Sequence, residues 1–272
     1  MNRILAWARC LTALIAAALP ITCAITLATG ASSAASAQST PGGLADIPLP
    51  PTDAEQKKIV EDVKAKALDY ERNLTDFVCT QFSHHNIDLK GMNQWKTLDT
   101  VSEQLRFVHG AEEYTLIAQN GKKASGSEKR PAELVSIKQF SDMLHYIFDP
   151  KAKAFMAWSN WDSVRGHRVH VIQFVVTKDN STYSVGKSKP LASGLGGWVY
   201  ADSDTNAVLR VAMAATDIPK TYPIQAVASD MYFDFVRIGD KNYLVPVKAD
   251  LHEKQGKSQV WDEVELKDFR KP

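Results

Sequence analysis

The nearest approach to a metal motif in this sequence is Asp202-Ser-Asp204-Thr-Asn206, which offers oxygen ligands at alternate positions as a calcium loop does. Its sixth position is Ala207, where the sharp bend of such a loop needs glycine, and its twelfth is Met213, where a bidentate glutamate belongs. The segment therefore reads as a hairpin turn whose Asp and Asn side chains bond their own backbone. His167 and His170 lie three apart on a predicted strand and face opposite sides, and the adjacent pair His84-His85 shares the defect. A closed metal site needs three or four ligands, so neither a metal nor any other cofactor is expected. Paired acids (Glu112-Glu113, Asp230 with Asp234, Asp262 with Glu263 and Glu265) have the chemistry for proton transfer. On strands and turns such acids more simply form a wet face. The sequence holds no Gly-x-Ser-x-Gly elbow, no His-Glu-x-x-His and no Gly-rich phosphate loop ending in Lys-Ser/Thr. Cys79 sits between apolar neighbours in Phe77-Val-Cys-Thr-Gln-Phe82 and reads as a small buried hydrophobe, with a reactive or intermolecular thiol as the alternative. An enzyme is not expected.

Aromatic side chains carry more. Trp95, Phe107, Tyr114, Phe155, Trp158, Trp161, Phe174, Trp198 and Tyr200 all fall on predicted strands or their ends. A curved sheet could gather several of them around a hollow, and a hollow lined by large rings with few polar groups suits a lipid or acyl chain. The candidate lining is Trp95, Phe107, Tyr114, Phe140, Leu144, Phe155, Trp158, Phe174, Trp198 and Tyr200. The alternative is that these rings fill a helix-to-sheet core.

The elements that must position them follow from local pattern. Thr52-Asp-Ala-Glu55 is a capping box, and Ile59, Val63, Ala67, Tyr70 and Leu74 continue it at helical spacing between charged residues. A helix that lies on a sheet is predicted. From Phe77 the pattern becomes extended, with Trp95, Thr97, Asp99, Val101, Glu103, Leu105 and Phe107 on one face of a long strand. Turns are expected at His109-Gly110, Asn120-Gly121, Arg165-Gly166, Asp202–Asn206, Gly239 and Gly256. A second helix, Ser136 to Phe148, is stopped by Asp149-Pro150. Short connections force antiparallel neighbours, giving nine or ten strands. The fold class is α+β, mainly β: a curved antiparallel sheet, an open half-barrel, with an N-terminal helix and an inserted helix.

Residues 1–37 contain Arg3, Arg9, no acid, an apolar run from Leu11 to Leu27 and a closing Ala35-Ser-Ala37, which reads as a signal peptide cleaved near Ala37. A retained anchor is the alternative. Residues 38–52, rich in proline and glycine, form a flexible leader, and 53–272 a single domain. An exported, periplasmic or secreted protein is expected. The whole chain of 272 residues carries 32 basic and 31 acidic side chains. Without Arg3 and Arg9 the balance is 30 to 31, which excludes a protein built to neutralise nucleic-acid phosphates.

Two segments resemble the family of the periplasmic lipoprotein carrier LolA and the sensor-binding protein RseB. The first is Trp161-Asp-Ser-Val-Arg-Gly-His-Arg-Val-His-Val-Ile-Gln-Phe174, similar to a strand of that family entered through a Gly turn. The second is Gly197-Trp-Val-Tyr-Ala-Asp-Ser-Asp-Thr-Asn-Ala-Val-Leu-Arg-Val211, similar to a hairpin with an aromatic strand, a polar turn and a strand ending in Arg. The stretch Asp76 to Gln81 also resembles a group of exported bacterial proteins of unassigned function. The LolA-like resemblance implies a half-barrel that holds lipid or acyl chains and assigns no catalytic residue. The expected partner is a lipid or acyl ligand taken up between the concave face and the inserted helix; the alternative is a non-enzymatic envelope structural or protein-interaction module without a ligand cavity, whose partner would be an envelope protein.

Overall fold

The computed structural model describes residues 48–125, 135–187 and 189–272, of which Pro51 onward forms one compact unit. The expected signal peptide and most of the leader lie outside the described residues.

Helix α1 (Asp53–Asn73) begins at the predicted capping box. The Thr52 amide donates to Glu55 Oε2 at 2.7 Å and the Glu55 amide to Thr52 Oγ1 at 3.4 Å. Its stripe of Val63, Ala67 and Tyr70 is buried, with Ile59 and Leu74 packed at the margin. Ten long strands follow: β1 (Phe77–Asp88), β2 (Lys96–Val108), β3 (Ala111–Gln119), then β5 (Phe155–Val164), β6 (His167–Val176), β9 (Gly194–Asp202), β10 (Val208–Thr216), β11 (Ile224–Ile238), β12 (Lys241–Gln255) and β13 (Ser258–Arg270). Three two-residue strands, β4 (Lys122–Lys123), β7 (Ser184–Val185) and β8 (Leu191–Ala192), complete the described set. Helix α2 (Ile137–Phe148) sits between β4 and β5 and ends where Asp149 accepts the Lys151 amide ahead of the Pro150 turn.

Eleven strands form one antiparallel sheet in the order β4-β3-β2-β1-β13-β12-β11-β10-β9-β6-β5. It is curved, and its outer strands β4 and β5 do not pair with each other, so it stays an open sheet. The tight hairpins take the left-handed backbone the sequence pointed to, at His109-Gly110, Asn120-Gly121 and Arg165-Gly166. Both helices pack on one face, here the helix face, over a single cluster that includes Phe77, Cys79, Leu105, Phe174, Leu195, Val211, Met231, Phe233 and Val264. Burial pushes the Cys79 thiol up to about 12, which fits the small-hydrophobe reading.

One register expectation is corrected. Trp95 and Thr97 do not share a face with Phe107, because a bulge intervenes: His85 pairs with Asp99 but Asn86 pairs with Thr97. Two residues of β2 therefore oppose one of β1, and the side chains before the bulge change sides. Thr97 bonds Asn86 and Trp95 reaches Trp261, both on the reverse face.

Candidate functional site

The predicted lining residues divide among three places. Phe107, Phe140, Leu144 and Phe174 are buried together in the helix-face cluster, with Tyr114 packed at its rim and its hydroxyl on Glu112. Helix α2 supplies the lid of this region. Its N-terminus is fixed by Ser136, whose amide donates to Gln139 Oε1 at 3.1 Å. Phe140, Met143, Leu144, Ile147 and Phe148 then form one buried stripe, while Lys138 and Asp142 pair on the outside at 2.7 Å. Phe140 meets Phe233 edge-on at 5.7 Å, and Tyr70 of α1 meets the same ring at 5.1 Å, so both helices converge on one strand of the sheet.

Edge strand β5 carries the second group. Trp158 lies opposite Ile172 and Trp161 opposite His170, which places both rings on the helix face, half-buried. His170 is buried between them: Trp158 Nε1 donates to its Nδ1 at 3.1 Å and the Trp161 ring lies 4.3 Å away. Burial lowers the His170 pKa against the smaller upward pull of Asp202. Since Nδ1 accepts, the ring proton resides on Nε2. Phe155, at the start of β5, pairs with Val175 and is exposed.

Trp198, Tyr200 and Trp95 belong to the reverse face, which the helices do not cover. Tyr200 is buried in a small cluster with Val169, Val171 and Leu209, and Trp198 packs against it. Beside it lies a polar network that sequence reasoning missed. Arg210 forms a two-pronged ion pair with Asp230, Nε to Oδ1 at 2.7 Å and Nη2 to Oδ2 at 2.5 Å, and Tyr232 adds its hydroxyl at 3.2 Å. The guanidinium lies 4.6 Å from the Tyr200 ring and 5.1 Å from the Tyr232 ring. Burial alone would lower the Arg210 pKa, but the bonds from Asp230 outweigh it and raise it.

The row continues across β12 and β13. Lys248 Nζ lies 3.0 Å from Glu263 Oε1 and 3.3 Å from Asp250 Oδ2, and Trp261 Nε1 donates to Asp250 at 3.1 Å. His252 stacks on Trp261, and Trp95 stands edge-on to both. Asp230 is therefore no part of a wet face, as paired acids on strands were expected to be; it is a buried, fully engaged carboxylate. The signal that could have found this network is the second phase of the alternation. Asp230 and Tyr232, Lys248 and Asp250, and Trp261 and Glu263 each alternate with residues committed to the helix face.

His167 and His170 lie on opposite faces, His167 with its Nδ1 3.1 Å from Asp202 Oδ2. Asp202 Oδ1 takes the Thr205 amide and hydroxyl at 2.8 and 2.7 Å, which makes the segment the hairpin turn the sequence implied. Among the described residues no group of three or more His, Cys, Asp or Glu could hold a metal ion, and no helix is long and apolar enough to cross a membrane.

No protein-family model and no curated protein matches the chain. Solved structures similar to it include an outer-membrane lipoprotein-sorting protein domain from Vibrio parahaemolyticus, at 14% identity and a TM-score of 0.36 over 80% of this chain and 92% of that one. A LolA superfamily protein from Nitrosomonas europaea is similar at 10% identity and 0.34, covering 78% and 93%. A DUF1329 family protein from Desulfovibrio piger is similar at 10% and 0.35, covering 78% and 92%. Values of this size leave the question of ligand to the chain's own residues.

Proposed function

We propose that the protein is an exported, non-enzymatic carrier or binding protein that takes a lipid, a lipoprotein acyl chain or another apolar ligand between the helix face of the sheet and α2. The observation that carries this reading is the underside of α2. Five apolar side chains on a helix of 12 residues close an apolar strip of an open sheet. Exposing five such side chains costs on the order of 7 to 15 kcal/mol at about 1.5 to 3 kcal/mol each. An acyl chain of about sixteen carbons, at roughly 0.8 kcal/mol per methylene, returns about 12 kcal/mol by taking their place. An extended apolar ligand is thus the class able to exchange with the helix; Trp158 and Trp161, half-buried on the helix face of β5, are the candidate rings that a ligand on this face could still reach.

A second reading, an envelope protein-interaction module, is favoured by how completely Phe140, Leu144 and Phe174 are buried and by the unpaired edge of β5 with exposed Phe155. Native mass spectrometry of the protein purified from its own envelope, followed by organic extraction, separates the two. A lipid or acyl species at near-unit stoichiometry supports the carrier. A clean apo mass with no uptake of a fluorescent fatty acid overturns it in favour of the interaction module.

A further inference from the structure

One end of the sheet collects lysine and exposed aliphatic side chains. Strands β2, β11 and β13 begin there, and β1 and β12 end there. Residues 89–95 link β1 to β2 and press against the β12–β13 turn, so closely that a Cβ on Gly91 would lie 2.8 Å from the Lys257 carbonyl oxygen. Ile224 pairs with Gln255 and extends the row to β11. Tyr222 extends it further, donating its hydroxyl to the carbonyl oxygens of Val185 at 2.9 Å and Lys189 at 2.7 Å.

Lys90, Lys96, Lys187, Lys189, Lys220 and Lys257 are all exposed along this row. The acids in the same segments are Asp88, which is buried, Asp99 and Glu253, which are half-buried, and Asp217, which is exposed, so six exposed lysines stand against four carboxylates. In a chain whose total charge is near zero, this is a local cationic edge. Between the lysines protrude Leu89, Met92 and Leu98, which are 70%, 58% and 57% exposed.

The protrusion is held in shape. The buried Asp88 carboxylate accepts the amides of Lys90 at 3.1 Å, Gly91 at 3.0 Å and Gln94 at 3.2 Å. Burial raises its pKa, but these bonds outweigh it and the net direction is down. Trp95 closes the loop, its Nε1 on Asn93 at 3.0 Å and its ring edge-on to Trp261 at 5.8 Å. Aliphatic side chains kept in water by an ordered loop call for an apolar counterpart.

We propose that this edge docks on an anionic lipid bilayer, with Leu89, Met92 and Leu98 entering the interfacial layer and the six lysines lying over the headgroup phosphates. Lysines alone would fit any polyanion; aliphatic side chains ranged among them fit an interface that is charged outside and apolar within. The proposal concerns where the protein works and stands independently of what it carries.

The test is co-sedimentation of the full chain with vesicles of phosphatidylcholine, alone or mixed with phosphatidylglycerol. Binding to the mixed vesicles that weakens with salt is expected, with each of Lys90→Gln and Lys257→Gln lowering the partition coefficient about fivefold. Leu89→Ser/Met92→Ser should lower it roughly tenfold at unchanged Tm. Lys241→Gln, at the opposite end of the sheet, should leave it unchanged. Equal binding to neutral vesicles overturns the proposal. So does sensitivity to the lysine changes alone, which would make the edge a site for a soluble polyanion, and so does insensitivity to every change, which would assign binding to the N-terminal segment.

Discussion

Removing Asp230 should leave a buried cation without its counter-charge. Its side chain is 2% exposed and that of Arg210 19%, so neither group can turn to solvent to replace the other. Breaking a buried pair from one side costs about 3 to 5 kcal/mol. The remaining exposure of Arg210 and the two tyrosine rings beside it place Asp230→Ala at the lower end, about 3 kcal/mol. For a unit of this size 1 kcal/mol moves Tm by roughly 2 to 4 °C, so a fall of about 6 to 12 °C is expected. The double variant Arg210→Met/Asp230→Leu removes both charges and retains apolar volume; it should be more stable than Asp230→Ala alone. Urea unfolding of wild type, Asp230→Ala, the singles Arg210→Met and Asp230→Leu, and the double variant, followed by circular dichroism, measures each term. If Asp230→Ala loses less than about 1 kcal/mol, or if the double variant loses the sum of the singles, the pair is not a coupled buried unit and the reasoning fails.

Three further expectations follow from the same geometry. Native protein should leave Cys79 unreacted with a disulfide reagent at neutral pH and release one thiol equivalent from that residue in denaturant, because burial holds the thiol up at about 12; rapid native labelling would place Cys79 outside the core. Burial depresses the pKa of both His170 and His252, so the unfolded chain takes up protons first: their contribution to stability is complete above about pH 6.5 and is lost as pH falls through the lower folded-state values. Melting curves from pH 7 to 5 should show that decline, and it should flatten in His170→Phe/His252→Phe; an unchanged slope would assign the acid sensitivity to other groups. Trp158→Ala should reduce uptake of a fluorescent fatty acid more than it reduces Tm, whereas Trp198→Ala, on the reverse face, should reduce Tm with uptake intact; the opposite pattern would move the site to the face without helices.

What could be read from the sequence was what is local. The Thr52–Glu55 box, the α1 stripe, the α2 stripe with its Asp149-Pro150 stop, and the left-handed turns are each set by residues a few positions apart, and each stands in the structure where its residues are. The aromatic lining was harder, because assigning a ring to a face requires the alternation to run unbroken. A bulge at Asp99 is enough to send Trp95 to the side opposite Phe107. Trp198 and Phe174 are separated by a different effect: Gln173 pairs with Trp198 and Phe174 with Gly197, so the strand register, which no local signal fixes, decides which ring meets the helices.

The reverse-face network depends on register still more heavily, since it is assembled from β10, β11, β12 and β13 by the pairings of Arg210 with Tyr232, Asp230 with Asp250 and Asp250 with Glu263. Each strand alone shows only polar residues alternating with apolar ones, the pattern of an ordinary solvated face. It is the curvature and pairing that bring Asp230 below the surface beside Arg210, and burial then changes what the carboxylate does. A single exposed acid opposite an arginine contributes little; the same pair with two tyrosine rings and almost no water fixes the relative positions of β10 and β11. Those two strands also carry Val211, Met231 and Phe233 on the helix face, against which both helices pack. If the proposed ligand displaces α2, it meets a sheet whose geometry is held from behind, so that the helix is the element expected to move while the strands stay in place.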